Sequence, residues 1–199
     1  GGPVTRSKPE ITAPDGSNTT FFGAPRNTPG CDTDGSPNFF GTSAAAPHAA
    51  AVAALMLEAT PGLSPSEIVS IMSATAVDAE APGHDARSGA GFIDASAAVA
   101  AARTPAPSVS ITAAGGQDDP ASAGPIRFTA TFDADVDAIV AGDVVVGGTA
   151  GATSASTVTG GPRVFAIAVA SAPGQGTVTA QVPSGVTASS VGRANTASG

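Results

Sequence analysis

The sequence predicts a chain in two parts, a helical and loop-rich stretch through about residue 103 followed by an all-β sandwich. Two observations carry this. Apolar residues recur at helical spacing between Ala44 and Arg103, and after "RTPAPS", Arg103 to Ser108, the period switches from helical to two. A third observation bounds the answer: 42% of the 199 residues are hydrophobic and 12% charged, enough for one or two packed cores. Those cores must be assembled from small side chains, because Ala, Gly, Val, Thr and Ser prevail and neither Trp nor Tyr occurs. Each side chain then buries little area and backbones must approach closely.

Residues 1 to about 43 read as loops, with "PEITAP" as their sole strand-like piece. A first helix is expected from Ala44 to about Ala59, stopped by Thr60-Pro61-Gly62. Ser64-Pro65-Ser66-Glu67 combines an N-cap serine, a proline in the first turn and a glutamate three residues after the cap, which is a capping box. Ile68, Val69, Ile71 and Met72 then recur at helical spacing, so this second helix should run to about Ala76 with one face buried. "GHDARSGAGFIDA" reads as a loop, and Asp94 as the cap of an alanine-rich helix to about Arg103. Residues 104–108 form a proline-broken connector. Within residues 109–199, "SVSITAA", "IRFTATF", "DVVVGG", "ATSASTVTG", "RVFAIAVAS" and "GTVTAQV" are short strands between turn residues. Ile126, Phe128, Ala130 and Phe132 alternate with Arg127, Thr129 and Thr131, and Phe165, Ile167 and Val169 repeat the device, so one sheet face is core and the other faces solvent.

A net charge of −8, with only 8 Lys and Arg scattered along the chain, opposes nucleic acid or an anionic lipid surface as partner. The single cysteine, Cys31, has no partner for an internal disulfide and reads as a buried or partly buried thiol. No apolar stretch reaches the roughly 18 residues of a membrane span once its alanines are discounted. The chain opens "GGPVTRSKPE" without Met and is expected to be the C-terminal part of a longer protein. Asp32 and Asp34 in "CDTDGSPN" resemble the start of an oxygen-rich calcium loop, but its terminal glutamate is missing, and they read as a solvated turn; Asp118-Asp119 reads the same way.

The chemistry lies in "NFFGTSAAAPHAAAVAALML", Asn38 to Leu57. A serine before a helix usually only caps it. Here the context is richer: Gly41, Thr42, Ser43, Ala45, Pro47 and His48 meet every fixed position of Gly-Thr-Ser-x-Ala-x-Pro-His, and the chain so resembles the subtilisin-like serine proteases at their nucleophile. "KPEITAPDG" is similar to the Lys-Pro-Asp-x-x-Ala-Pro-Gly segment that precedes it in that family, with Glu10 for Asp and Asp15 before Gly16. "SGAGFIDASAAV" resembles the stretch that ends the catalytic domain, so the likeness covers about residues 8–102.

The resemblance implies a truncated three-layer α/β domain that lacks most of its parallel sheet. It also implies Ser43 as nucleophile, with its own backbone N–H an oxyanion donor at the positive end of the helix, and peptide-bond hydrolysis of a polypeptide substrate through an acyl-enzyme, with no cofactor required. Gly41, Thr42, Pro47 and His48 support the motif. In this family the chain order is Asp, His, Ser, and both histidines here follow Ser43. His48 lies five residues along the same helix, on another face, and reads as a packing residue; His84 sits in a polar loop beside Asp85. The aspartate, the histidine and the oxyanion asparagine are therefore expected upstream of Gly1, and the fragment alone is expected to be inactive. A lipase would show a Gly-x-Ser-x-Gly elbow leading into a helix, which is lacking.

From Ser108 on, "GGQDDP", "FTATF", "GTAGAT" and "RANTAS" occur in the order found in bacterial immunoglobulin-like repeats. That resemblance implies an accessory domain that contacts a cell surface or polysaccharide, in a secreted or cell-surface bacterial protein. "VTASSVGRAN" departs from it where an aspartate often precedes the glycine. The rival reading is an adhesion protein in which a degenerate protease serves as scaffold and this module binds.

Overall fold

The computed structural model describes residues 7–23, 33–121, 124–152, 154–170 and 174–199. It divides into two compact units, Gly1–Thr104 and Pro105–Gly199.

Unit 1 is built from three helices and short extended pieces. Helix α1 spans Thr42–Ala59, α2 Pro65–Thr75 and α3 Ala95–Ala102. The second helix starts as its sequence requires: the Ser64 hydroxyl accepts from the Glu67 N–H and the Glu67 carboxylate accepts from the Ser64 N–H, so two otherwise orphaned donors are satisfied reciprocally. Asp94 caps α3 by accepting the Ala97 N–H at 2.9 Å. Helix α3 packs against both α1 and α2, and Ala44, Val52, Met56, Ile71, Met72, Ala98, Ala101 and Ala102 are buried. Val69, read from the sequence with the buried face of α2, is 45% exposed; Ile71 and Met72 carry that face instead.

Two extended arrangements flank the helices. Strands β1 (Ser17–Asn18) and β2 (Asn38–Phe39) pair antiparallel, Ser17 opposite Phe39 and Asn18 opposite Asn38. "PEITAP" is not a free-standing strand: Thr12 forms an isolated parallel bridge with Phe92, and Phe92 an antiparallel one with Val77. The Thr12 and Ile93 amides bond to the Gly91 and Thr12 carbonyls at 2.8 Å each. This packing needs glycine at position 91, where φ is 124° and an added Cβ would lie 2.3 Å from the Val77 carbonyl oxygen.

Unit 2 is all β. Strands β3 (Val109–Ala113), β4 (Ile126–Phe132), β7 (Val164–Val169) and β6 (Ala155–Gly160) form one antiparallel sheet in that order, and β5 (Val145–Gly147) pairs with β8 (Thr179–Gln181) in a second. Side chains from both sheets, among them Ala130, Phe132, Phe165, Ile167, Val146 and Ala180, share one hydrophobic cluster. Phe132 and Phe165 meet edge to face at 5.7 Å. Arg127 and Thr131 point outward as the alternation predicts.

The C-terminal segment is fastened by Asn195, which is 3% exposed. Its Oδ1 accepts from the Val186 and Thr187 amides, and its Nδ2 donates to the Pro183 and Thr196 carbonyls. At the first strand of the unit the Asp133 carboxylate accepts from both the hydroxyl and the amide of Ser108. Those bonds, the hydroxyl first, hold the Asp133 carboxyl below its ordinary value of 3.8.

Replacing Asn195 by Ala strips partners from two amides and two carbonyls and should cost about 3 kcal/mol. For a unit of this size, calorimetry should then show the unit 2 transition lowered by about 12–24 °C. The Asp133 pair contributes stability that is present above the unfolded carboxyl value, about pH 4, and is lost as pH falls through the lower folded one. Ser108→Ala should therefore flatten the loss of unit 2 stability below pH 4, which acid titrations of melting temperature would read.

Candidate active site

The site is set by how α1 begins. The sequence places its start at Ala44 with Ser43 before it, but the helix begins at Thr42 and its N-cap is Gly41. Ser43 is thus the second helical residue and its side chain makes no capping bond. The simple explanation of a serine at a helix start, that it caps, does not hold here.

Gly41 adopts φ 96° and ψ 177°, a conformation essentially confined to glycine. Its carbonyl accepts from the Ala44 amide at 2.8 Å and the Ala45 amide at 3.1 Å, which closes the first turn. The Thr42 and Ser43 N–H groups have no acceptor among the described residues. They are two of the open donors at the positive helix end. Ser43 is exposed and its Oγ has no hydrogen-bond partner among the described residues.

Pro47 sits inside α1 and has no N–H to give to the Ser43 carbonyl four residues back. The turn is tied instead by His48. Its Nδ1 lies 2.8 Å from the Ala44 carbonyl oxygen, which can only accept, so Nδ1 carries the proton. In the neutral ring Nε2 is then an acceptor, and it receives the Ser17 hydroxyl at 3.2 Å. His48 therefore joins α1 to β1 and makes no bond to Ser43.

Strand β2 runs into the site through Phe40. The Asn38 side-chain amide donates to the Gly16 carbonyl at 2.9 Å and to Asn18 Oδ1 at 3.0 Å, while Asn38 Oδ1 is buried with no hydrogen-bond partner among the described residues. The ring of Phe40 lies on Gly16, where an added Cβ would come within 2.8 Å of it. Asp15, which sequence reasoning registered only as a departure from a motif, accepts the Gly41 N–H through Oδ2 at 2.9 Å.

His84 and Asp85 do not form a catalytic pair. His84 Nε2 faces the Pro9 carbonyl at 2.9 Å. The Asp85 carboxylate accepts from the Ser88 amide, the Ser88 hydroxyl and the Arg87 amide, and these bonds lower its pKa, the Ser88 amide most. Asp34 accepts from the Ser36 amide at 2.8 Å and contacts the Asn18 side chain; Cys31 and Asp32 lie outside the described residues. Among the described residues no group of three His, Cys, Asp or Glu is placed to hold a metal ion, and no helix is long and apolar enough to cross a membrane.

Residues 1–91 match the family model described as the subtilase family. The match takes in Asp15, Gly41, Ser43 and His48 and none of unit 2, so unit 1 carries a subtilase-like portion, which at family level supports a serine protease. No curated protein matches the chain.

An alanine at position 41 would meet no atom within 4 Å, so its cost is backbone strain alone. Gly41→Ala should destabilise unit 1 by about 1–3 kcal/mol and move the start of α1, read as a lower melting temperature and altered NMR shifts for Thr42 to Ala45.

Proposed function

We propose that Ser43 is the nucleophile of a serine endopeptidase whose acid and base partners come from chain preceding residue 1. The observation that carries this is the pairing of an exposed, uncapping Ser43 hydroxyl with open Thr42 and Ser43 N–H groups at the head of α1. A substrate carbonyl over the helix end would have Oγ in reach of its carbon, and the negative charge that develops on its oxygen would meet those dipoles. Oγ bonds to that carbon as its proton passes to a base; the C–N bond then breaks and the amine leaves with the proton. Water next hydrolyses the acyl ester and frees Ser43.

The base has to come from elsewhere, because His48 is spent between Ala44 and Ser17 and His84 faces Pro9. The face of α1 that unit 1 leaves open supports the same view. Leu55 is 49% exposed and Leu57 40%, on a helix apolar on every side, as suits an element covered by further layers. We place the protein outside the bacterial cell, with unit 2 as an immunoglobulin-like accessory module for a surface or polysaccharide. That assignment rests on the ordered "GGQDDP", "FTATF", "GTAGAT" and "RANTAS" segments and on two antiparallel sheets around one core.

A fluorophosphonate probe tests the nucleophile, since it labels only activated serines. With the upstream reading frame restored, mass spectrometry should find the label on Ser43, with none on the Ser43→Ala protein and none on the 199-residue chain. A folded long chain that takes no label would favour the scaffold reading, in which unit 2 binds and unit 1 is inert.

A further inference from the structure

The geometry points to Asp15 as a positioning residue of this site, an inference that rests on Ser43 being the nucleophile. The β1–β2 register pairs Asn18 with Asn38 and Ser17 with Phe39, and the Gly16 amide still reaches the Phe39 carbonyl at 2.7 Å. Two steps further, the same register sets Asp15 opposite Gly41. There the ladder cannot continue, because Gly41 has turned to φ 96° to launch α1. Its N–H is received by the Asp15 carboxylate instead, at 2.9 Å.

That bond joins the hairpin to the helix at the residue whose carbonyl closes the first turn. Gly41 is therefore held at both ends of its peptide unit, the N–H by Asp15 and the C=O by Ala44 and Ala45. With no side chain and open space around its Cα, nothing else about Gly41 restrains its rotation. Asp15 fixes the direction in which α1 presents the Ser43 hydroxyl and the open N–H groups. Asp15 is itself exposed, so when the carboxylate is removed the Gly41 N–H can turn to water, and the loss is one of angle rather than of a buried bond. Small misplacements of a reacting group are costly in rate.

The test compares Asp15→Ala, which removes the acceptor, with Asp15→Asn, which keeps an acceptor oxygen and removes the charge. In the upstream-restored chain, fluorophosphonate labelling of Ser43 should slow about 10- to 100-fold in Asp15→Ala and stay within about twofold of wild type in Asp15→Asn. By NMR the Gly41 amide should exchange about tenfold faster in the alanine variant alone. Melting temperatures should shift by less than about 4 °C in both. Wild-type labelling in Asp15→Ala overturns the proposal while leaving Ser43 as nucleophile. Equal slowing in both variants overturns it too, since charge rather than the accepted bond would then matter. An unlabelled wild type removes the nucleophile itself, and the role of Asp15 falls with it.

Discussion

One peptide unit governs the candidate site. The chain must pass from the β1–β2 pair into a helix within two residues, Phe40 and Gly41, and the Gly41 φ of 96° that does so is open to glycine alone at low cost. Once it is taken, the Gly41 carbonyl faces the Ala44 and Ala45 amides and the first turn closes. Ser43 then falls at the second helical position, where its side chain cannot cap and its backbone N–H has no intrahelical acceptor. The exposed hydroxyl of Ser43 and the open N–H beside it are thus a consequence of where the helix starts, and the start is a consequence of Gly41. Pro47 extends the effect by withholding an N–H from the Ser43 carbonyl, and His48 compensates by tying the turn back to β1.

The second constraint is that α1 is apolar all round while unit 1 covers only part of it. Ala44, Val52 and Met56 are its buried residues, α1 packs against α3, and Leu55 and Leu57 are exposed. Alanine eases this: each exposed Ala adds little apolar area, and Ala has the highest helix propensity. A leucine-rich version of the same helix would present a far larger apolar patch. Small side chains thus serve two ends, close approach where α1 is covered and a modest penalty where it is open.

How much of this could be read from the sequence depended on range. The Ser64-Glu67 capping box and the Asp94 cap are local patterns within four residues, and both occur as the residues dictate. So do the alternations in β4 and β7, because period two in Phe165, Ile167 and Val169 directly encodes a face. The helix starts two residues before the Ala44 that the sequence suggests, since serine outranks glycine as a cap on average and no pattern announces a positive φ at Gly41. "PEITAP" is strand-like in sequence, yet its partner Phe92 lies 80 positions on from Thr12 and supplies only an isolated bridge. The role of Asp15 is hidden in the sequence for the same reason. Its partner is far off in sequence, and only the register of the β1–β2 pair, once known, would have placed it opposite Gly41.

The boundary between the units follows from where hydrogen bonds are closed. On one side, the Thr104 hydroxyl accepts its place in unit 1 by donating to the Ala101 carbonyl, and the Thr60 hydroxyl donates to that of Ala102, so the end of α3 is satisfied within unit 1. On the other side, the Pro107 carbonyl receives the Thr196 amide and Ser108 is held by Asp133, both within unit 2. Proline at 105 and 107 has no N–H to seek a partner. The backbone groups at each end of the connector are therefore satisfied within their own unit. Asn195 completes the logic in unit 2: three bonds from its side chain hold the terminal segment against Pro183, Val186 and Thr187, and a fourth goes to the Thr196 carbonyl within that segment. Unit 2 thus satisfies its own edges by hydrogen bonds around one core, whereas unit 1 leaves Leu55 and Leu57 of α1 exposed.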